Sequence, residues 1–374
     1  MSSETKKRLL IVGQTPPPWH GQAVATKMLV DGEWATWEID SVRMAFSDDL
    51  ESVGRFKFGK IWHLFSQGRE ISKKLTEHPG TVLLYPPASA SWLPFVRDVF
   101  ILGRVRKYAR GTAFIFHASG LAEFTQGSWL RKFLAKKAYG GVDLALEVAQ
   151  VNLSPGKTFG AKTITLCPCA AEVPAFEAGS FSPGKPREIL FVGSLMEGKG
   201  VMEILKTASI FKSRGESRFS FQIVGRWASA AFEKECLAFV ESSEIGELVQ
   251  FKGQLTGDTK ISAFRSASLF FFPSHYSSEA SPIVLMEALG FGLPVVSTRW
   301  AGIPALVGEC EAVTLCEVKA PGSFADVIVE RLGDSSDDLA VREIARDFFE
   351  QRFTPEQFIG RVEDGLNQAG LCNS

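Results

Sequence analysis

The stretch Phe270–Val307 reads FFFPSHYSSEASPIVLMEALGFGLPVVSTRWAGIPALV. Its aromatic run up to Pro273 is short and apolar at every position, as a strand buried on both faces demands. A polar loop follows, and Ser281-Pro282 then precedes an apolar segment with helical spacing. Ser281 suits an N-cap, because its hydroxyl accepts from the free amides of the first turn. Pro282 suits the first helical position, where no amide proton is needed. Pro294–Thr298 is a second apolar run. Strand, helix and strand in this order form a βαβ unit, and such units build parallel sheets.

Reading outward, the same alternation recurs on both sides. The second half carries strand patterns at Ile189–Gly193, Phe219–Gly225, Val249–Gly253, Leu269–Pro273, Pro294–Thr298 and Ala312–Cys316. The first half carries them at Arg8–Gly13, Thr81–Tyr85, Ala113–His117, Leu144–Val148 and Thr163–Leu166, with amphipathic stretches at Ile61–Leu75 and Trp92–Ala109. Between the two series lies VPAFEAGSFSPGKPR (Val173–Arg187), rich in Pro, Gly and Ser and without periodicity, which reads as a linker. A chain of 374 residues is too long for one ordinary core. The expected fold is therefore α/β, with two Rossmann-like domains at 1–172 and 188–354 facing each other across a cleft, where the carboxyl ends of the strands bind ligand.

With 45% hydrophobic and 22% charged residues the composition is that of a soluble globular protein. The N-terminal apolar run Leu9–Gly13 is too short for a signal-peptide core or a membrane span, and no other window reaches a spanning length, so a cytoplasmic protein is expected. The six cysteines (Cys167, Cys169, Cys236, Cys310, Cys316, Cys372) include one close pair, C-P-C, which fits neither a zinc knuckle nor an unstrained disulfide, so all six are expected as reduced thiols. Residues 1–185 hold 23 Lys and Arg against 16 Asp and Glu, whereas 186–374 hold 18 against 26. The excess is concentrated in 51–137, with 15 basic and 5 acidic residues, which points to an anionic partner for the first half or to solvated helix faces.

Several residues carry chemistry. The first-turn amides of Ile283 and Val284 form an anion site at a helix N-terminus. Glu287, on the second turn of that helix, suits the vicinal diol of a ribose, and Glu279 in the preceding loop reaches the group beyond the phosphates. In ILFVGSLMEGKGVMEIL a strand ends at Gly193, and Lys199 stands beside a helix start, a placement suited to a phosphate. Arg226, after the strand ending at Gly225, is a further cation for that anion or a solvated loop arginine. In the first half GQTPPPWHGQAVAT follows the first strand, with Gly21 ahead of a helix, and FIFHASG sets His117 at a strand's carboxyl end.

Glu279, seven residues, Glu287, then ALGFGLPVVST and AGIP resemble the retaining glycosyltransferases of family four, in the glycosyl transferases group 1. The resemblance implies a GT-B fold, with Glu279 at the donor sugar and Glu287 on the nucleotide ribose. It also implies Lys199 on the diphosphate, Ser194 where the family has arginine, His117 at the sugar, and Gly21 in a loop closing over the diphosphate. Glu279, His117 and Lys199 are thus the expected catalytic residues. Gly21, Gly193, Ser194, Lys199, Arg226, Ser281, Ile283, Val284 and Glu287 are the expected donor-binding set. FTPEQFIGRVEDGLNQAG (Phe353–Gly370) resembles the helix that returns to the first domain, placing 355–374 there. The segment LCPCAAE (Leu166–Glu172) matches the family poorly, and no role is assigned to it.

The expected reaction moves a sugar from a nucleoside diphosphate sugar to an acceptor hydroxyl, with no cofactor and no metal; the Asp48-Asp49 and Asp337-Asp338 pairs are not at strand ends. Carbohydrate or a lipid-linked acceptor in surface-polysaccharide assembly is the expected partner. A nucleotide-sugar epimerase of the same fold and a catalytically weak binding subunit remain alternatives, the latter motivated by Ser194. The stretch with Arg55, Lys57, Lys60, Trp62, Phe65, Arg69, Lys73 and Lys74, and then Trp92, Phe95, Arg97, Phe100, Arg104, Arg106 and Lys107, suggests docking on an anionic membrane; the alternative is that the two helices pack in the core. No nucleic-acid motif is visible.

Overall fold

The computed structural model describes residues 7–17, 21–44, 58–87, 89–150, 153–174, 187–333 and 338–372. The chain forms two compact units, Met1–Ala170 with Pro355–Ser374, and Ala171–Thr354. Most of the expected linker, 175–186, lies outside the described residues, as do Asp48, Asp49 and Asp337.

In the first unit the elements are β1 (Lys7–Gly13), α1 (Gly21–Asp31), β2 (Trp37–Arg43), α2 (Phe58–Glu77), β3 (Val82–Tyr85), α3 (Trp92–Val105), β4 (Gly111–Phe116), α4 (Leu121–Gln126), α5 (Trp129–Tyr139), β5 (Leu144–Glu147), α6 (Pro155–Phe159) and β6 (Thr163–Leu166). The second unit holds β7 (Arg187–Val192), α7 (Val201–Ser213), β8 (Phe219–Val224), α8 (Ala230–Ser242), β9 (Val249–Gly253), α9 (Gly257–Ser266), β10 (Leu269–Phe272), α10 (Ile283–Gly290), β11 (Val295–Thr298), α11 (Ile303–Val307), β12 (Val313–Cys316), α12 (Pro321–Gly333) and α13 (Asp338–Arg352). The last helix, α14 (Pro355–Gln368), belongs to the first unit.

Each unit is built on a six-stranded sheet, ordered β2-β1-β3-β4-β5-β6 in the first and β12-β11-β10-β7-β8-β9 in the second. All described pairings are parallel. The central strands VLLY, GTAFIF, LFFF and VVST are buried at every position, which is why their sequences are continuous apolar runs.

Strand β2 (WEIDSVR) was not among the sequence expectations. It is an edge strand paired to β1 alone, and its buried residues, Trp37 and Val42, do not share one parity, so the alternation that marks a half-buried strand is missing.

The first unit's core contains a charged group. Asp98 of α3 is fully buried, accepting from Tyr85 Oη (2.7 Å), Tyr139 Oη (2.9 Å) and the Arg97 guanidinium. Burial, with Asp98 alongside, pushes both tyrosine hydroxyls well above their usual range. Arg106 is spent inside as well, donating to the carbonyls of Ala138 and Gly140. Phe95 is buried, Phe100 packs on the same core, and Lys74 pairs with Asp40. Of the basic, aromatic stretch named in the sequence, Phe95 is buried and Arg97 and Arg106 are bonded inside the unit, Phe65, Arg69, Lys73, Trp92, Arg104 and Lys107 are exposed, and the side chains of Arg55, Lys57, Lys60 and Trp62 lie outside the described residues.

Helix α14 is anchored on the first sheet. Its Gly365 runs so close to β5 that an added Cβ would lie 3.1 Å from Leu146 and 3.3 Å from Leu144. Phe358, Val362 and Leu366 are buried, and Glu363 accepts from the amide and hydroxyl of Thr36. The C-P-C segment meets this helix: Arg361 donates to the Pro168 carbonyl, and burial pushes the Cys167 thiol up to about 12. All six cysteines are buried, and none is in a disulfide.

Candidate active site

The order of the second sheet sets where a ligand sits. The chain enters at β7, winds outward through β8 to β9, then returns to β10 on the other side of β7 and winds outward to β12. The loops that leave β7 and β10 diverge, and the crevice at their carboxyl ends is the topological switch point where open parallel sheets bind ligands.

Two glycines let these loops approach. Gly200 is left-handed, with φ 79°, and an added Cβ would meet the Pro273 carbonyl oxygen at 2.2 Å. Gly225, at the end of β8, would bring a Cβ to 1.8 Å from the Gly193 oxygen. The His275 amide donates to Gly198 O at 2.8 Å, fastening the loop after β10 to the loop after β7.

Three side chains meet across that junction. Lys199 Nζ donates to Glu279 Oε2 at 2.6 Å, and Ser274 Oγ donates to the same oxygen at 2.6 Å. Glu279 is 6% exposed, and its backbone is held at both ends, the amide by Tyr276 O and the carbonyl by the Gly302 amide. The Lys199 ammonium lies 5.4 Å from the Phe272 ring and 5.1 Å from the Tyr276 ring. The expected phosphate ligand and the expected sugar-side carboxylate, 80 positions apart in sequence, are thus one ion pair. An ammonium has three donors, so the pair leaves capacity on Lys199 for an anion.

Helix α10 begins one residue later than its sequence suggested. Pro282 itself is the N-cap, with extended ψ of 106°, so Ser281 lies one residue before the cap. Proline fixes φ but leaves ψ free, and here ψ delays the first helical residue to Ile283. The amides of Ile283 and Val284 are first-turn donors without intrahelical acceptors. On the same helix Glu287 is gripped by Lys260 of α9, with Nζ at 2.6 and 2.8 Å from the two carboxylate oxygens. Burial pushes the Glu287 carboxyl above its ordinary value, and Lys260 opposes that shift.

The remaining expected residues are dispersed. Gly193 follows β7, with its amide on Val224 O, and Ser194 is exposed. Arg226 is exposed and has no ion-pair partner among the described residues; its carbonyl accepts from the Leu195 amide, so its backbone lies against the segment carrying Ser194. In the first unit Gly21 opens α1, while His20 lies outside the described residues. His117 follows β4, its Nδ1 3.6 Å from Cys169 Sγ, so the C-P-C segment touches an expected site residue. Among the described residues no three His, Cys, Asp or Glu side chains gather as a metal set.

The family model described as Glycosyl transferases group 1 matches residues 173–348, the segment that carries the Lys199–Glu279 pair and Glu287. That segment, just under half of the chain, is similar to this family. It is 30% identical over 197 residues to the putative colanic acid biosynthesis glycosyltransferase WcaL of Escherichia coli, covering 50% of this chain and 46% of that protein. It is 30% identical over 160 residues to the amylovoran biosynthesis glycosyltransferase AmsK of Erwinia amylovora, covering 38% of each. The matches span less than half the length of these curated relatives. HepE from Anabaena, solved in complex with UDP, shares the fold, with a TM-score of 0.69 at 14% identity over 96% of this chain and 100% of that one. The two units are the Rossmann-like pair of the GT-B architecture.

Within the segment similar to group 1, sequence reasoning missed Ser274, His275 and Lys260. Ser274 and His275 lie in the quoted stretch beside Glu279, and a buried His275 Nδ1 without a partner among the described residues aims polarity into the junction. Lys260 carried no local signal, since it meets Glu287 only through the packing of α9 on α10. Its removal has a signed pH consequence. The folded pKa of Glu287 lies above the ordinary 4.5, so the stability it contributes is present below that value and is lost as pH rises through the folded pKa. Lys260→Met removes the opposing cation, pushes Glu287 further up and carries the loss to higher pH. Urea unfolding of both forms is expected to show the variant losing more stability than wild type between about pH 5 and pH 7. Parallel pH profiles would refute the coupling.

Proposed function

We propose that the chain is a retaining glycosyltransferase that moves a sugar from a nucleoside diphosphate sugar to an acceptor hydroxyl. The observation that carries this reading is the Lys199–Glu279–Ser274 cluster at the switch point of the second sheet, next to the open first turn of α10. In this reading the bond between the anomeric carbon and the diphosphate oxygen breaks, and Lys199 with the amides of Ile283 and Val284 stabilises the charge left on the diphosphate, in place of a metal. The acceptor oxygen bonds to the anomeric carbon on the face the diphosphate leaves, and its proton passes to the departing phosphate oxygen. Glu279 hydrogen-bonds the donor sugar, Glu287 the ribose diol, and Arg226 supplements the cation where Ser194 stands. His117 is assigned to the donor sugar and Gly21 to the loop over the diphosphate.

The names of the relatives, colanic acid and amylovoran biosynthesis glycosyltransferases, support a surface polysaccharide or glycolipid as product. The UDP complex of HepE supports a nucleotide donor. We assign the acceptor as carbohydrate or lipid-linked carbohydrate, met in the cytoplasm at the inner face of the membrane. No helix among the described residues is long and apolar enough to cross a membrane.

A thermal-shift panel of UDP-, GDP- and ADP-sugars tests the reading on wild type and Glu287→Ala. One donor class is expected to raise the unfolding midpoint of wild type, by an increment that grows with its concentration, and the variant is expected to lose that shift. No shift with any donor would overturn the assignment of the site.

A further inference from the structure

The first unit exposes apolar side chains that its core does not use. On α5 Trp129 is 79% exposed and Phe133 51%, with Leu130 beside them, while Ala135, Ala138 and Tyr139 supply the buried face. On α3 Trp92, Leu93 and Val96 are about half exposed. The two helices pack together, and their outward residues join: the Arg131 guanidinium lies 5.6 Å over the Trp92 ring and 4.6 Å over Phe124, which meets Trp92 edge-on at 5.7 Å. An apolar surface that spans two helices and remains in water marks an interaction face rather than scattered exposure.

The exposed charge on the two helices themselves is of one sign. Helix α5, WLRKFLAKKAY, contains Arg131, Lys132, Lys136 and Lys137 and no acid. Lys132, Lys136 and Lys137 are exposed and enter no ion pair among the described residues, and Lys137 lies 4.8 Å over the Phe133 ring. The one carboxylate of α3, Asp98, is sealed in the core against Arg97 and two tyrosines. The flanking acids are Asp143, four residues after α5 and paired with Lys162, and the exposed Glu123 of the neighbouring α4.

We infer that the outward faces of α5 and α3 form a docking surface for a bilayer containing anionic lipid. Trp129, Leu130 and Phe133 enter the headgroup boundary, where aromatic rings are favoured, and the lysines meet lipid phosphates around them. This surface shares Trp92 with the stretch read in the sequence but adds α5, while Phe95, Arg97 and Arg106 of that stretch are buried or bonded inside the unit. It deepens the assignment of a membrane-face acceptor and rests on that reading only for its purpose, since lipid binding by the patch requires no donor.

The test is flotation of the full chain, without donor, with vesicles of phosphatidylcholine alone or mixed with phosphatidylglycerol. Wild type is expected to float with the anionic vesicles at low salt, to be released as salt rises, and to stay behind with the neutral ones. Two multiple variants separate the contributions: Trp129→Ser with Phe133→Ser, and Lys132→Gln with Lys136→Gln and Lys137→Gln. Each is expected to keep the wild-type unfolding midpoint, because the replaced groups face solvent. Loss of three cations is expected to lower partitioning roughly 100-fold, and loss of the two rings at least roughly tenfold. Absence of wild-type flotation, equal binding to neutral vesicles, or unchanged binding of both variants overturns the proposal. Because no nucleotide sugar is present, these outcomes leave the donor-site reading to be judged by its own thermal-shift panel.

Discussion

Lys199→Ala is expected to lower kcat/KM for the cognate donor by about 10²–10³-fold, the size found when a single preorganised charge-stabilising donor is removed. Lys199 is the cation held at the switch point, and its ammonium is fixed from three sides by Glu279, the Phe272 ring and the Tyr276 ring. A group fixed in advance does not have to reorganise when charge moves onto the leaving diphosphate, which is why its deletion should appear mainly in kcat. The variant remains interpretable. Ser274 still donates to Glu279 Oε2, and both backbone ends of Glu279 stay bonded, so the carboxylate keeps its place. The stability cost is that of one lost partner on a buried acceptor, about 1–3 kcal/mol. Steady-state kinetics with the donor class found by thermal shift provides the measurement. Turnover within about twofold of wild type would remove Lys199 from the reaction.

Gly225→Ala is expected to destabilise the second unit by about 3 kcal/mol, a fall of about 6–12 °C in its unfolding midpoint. The added Cβ would stand 1.8 Å from the Gly193 carbonyl oxygen and 3.1 Å from Leu195 Cδ2. The oxygen is backbone and cannot swing aside, so the ends of β7 and β8 must separate. Gly225 also donates to Gly253 O, which ties the same shift to β9. Gly253→Ala is the control, with φ of 67° but no atom within 4 Å of an added Cβ. It should show only the backbone cost of a left-handed alanine, about 1 kcal/mol. Calorimetric unfolding of the two variants beside wild type checks the difference, and equal effects would refute the steric account.

What could be read in advance followed from local rules. Runs such as LFFF and VVST must be buried strands, so the parallel architecture and the position of Glu279 in the loop between a strand and a helix were legible. Strand β2 was not, because an edge position relaxes the apolar pattern. The start of α10 was misplaced by one residue because proline's ψ is set by the loop and not by its ring. Lys260 and Ser274 were invisible as site residues because their meaning lies in the carboxylate they reach, and packing alone brings it there. The aromatics of α5 drew no reading at all. At sequence level an amphipathic stripe says that one face is apolar, but not whether that face turns inward.

The closing helix has a bearing on biogenesis. The first unit is discontinuous: β5 is covered by residues such as Phe358, Val362 and Leu366 that are synthesised after the whole second unit. While the ribosome is still translating 171–354, the first sheet stands with an uncovered flank, and the second unit has its complete sequence before the first has its last layer. Vectorial synthesis therefore delivers the second unit ready to fold first, although its residues follow those of the first sheet, and β5 waits for a helix made after both.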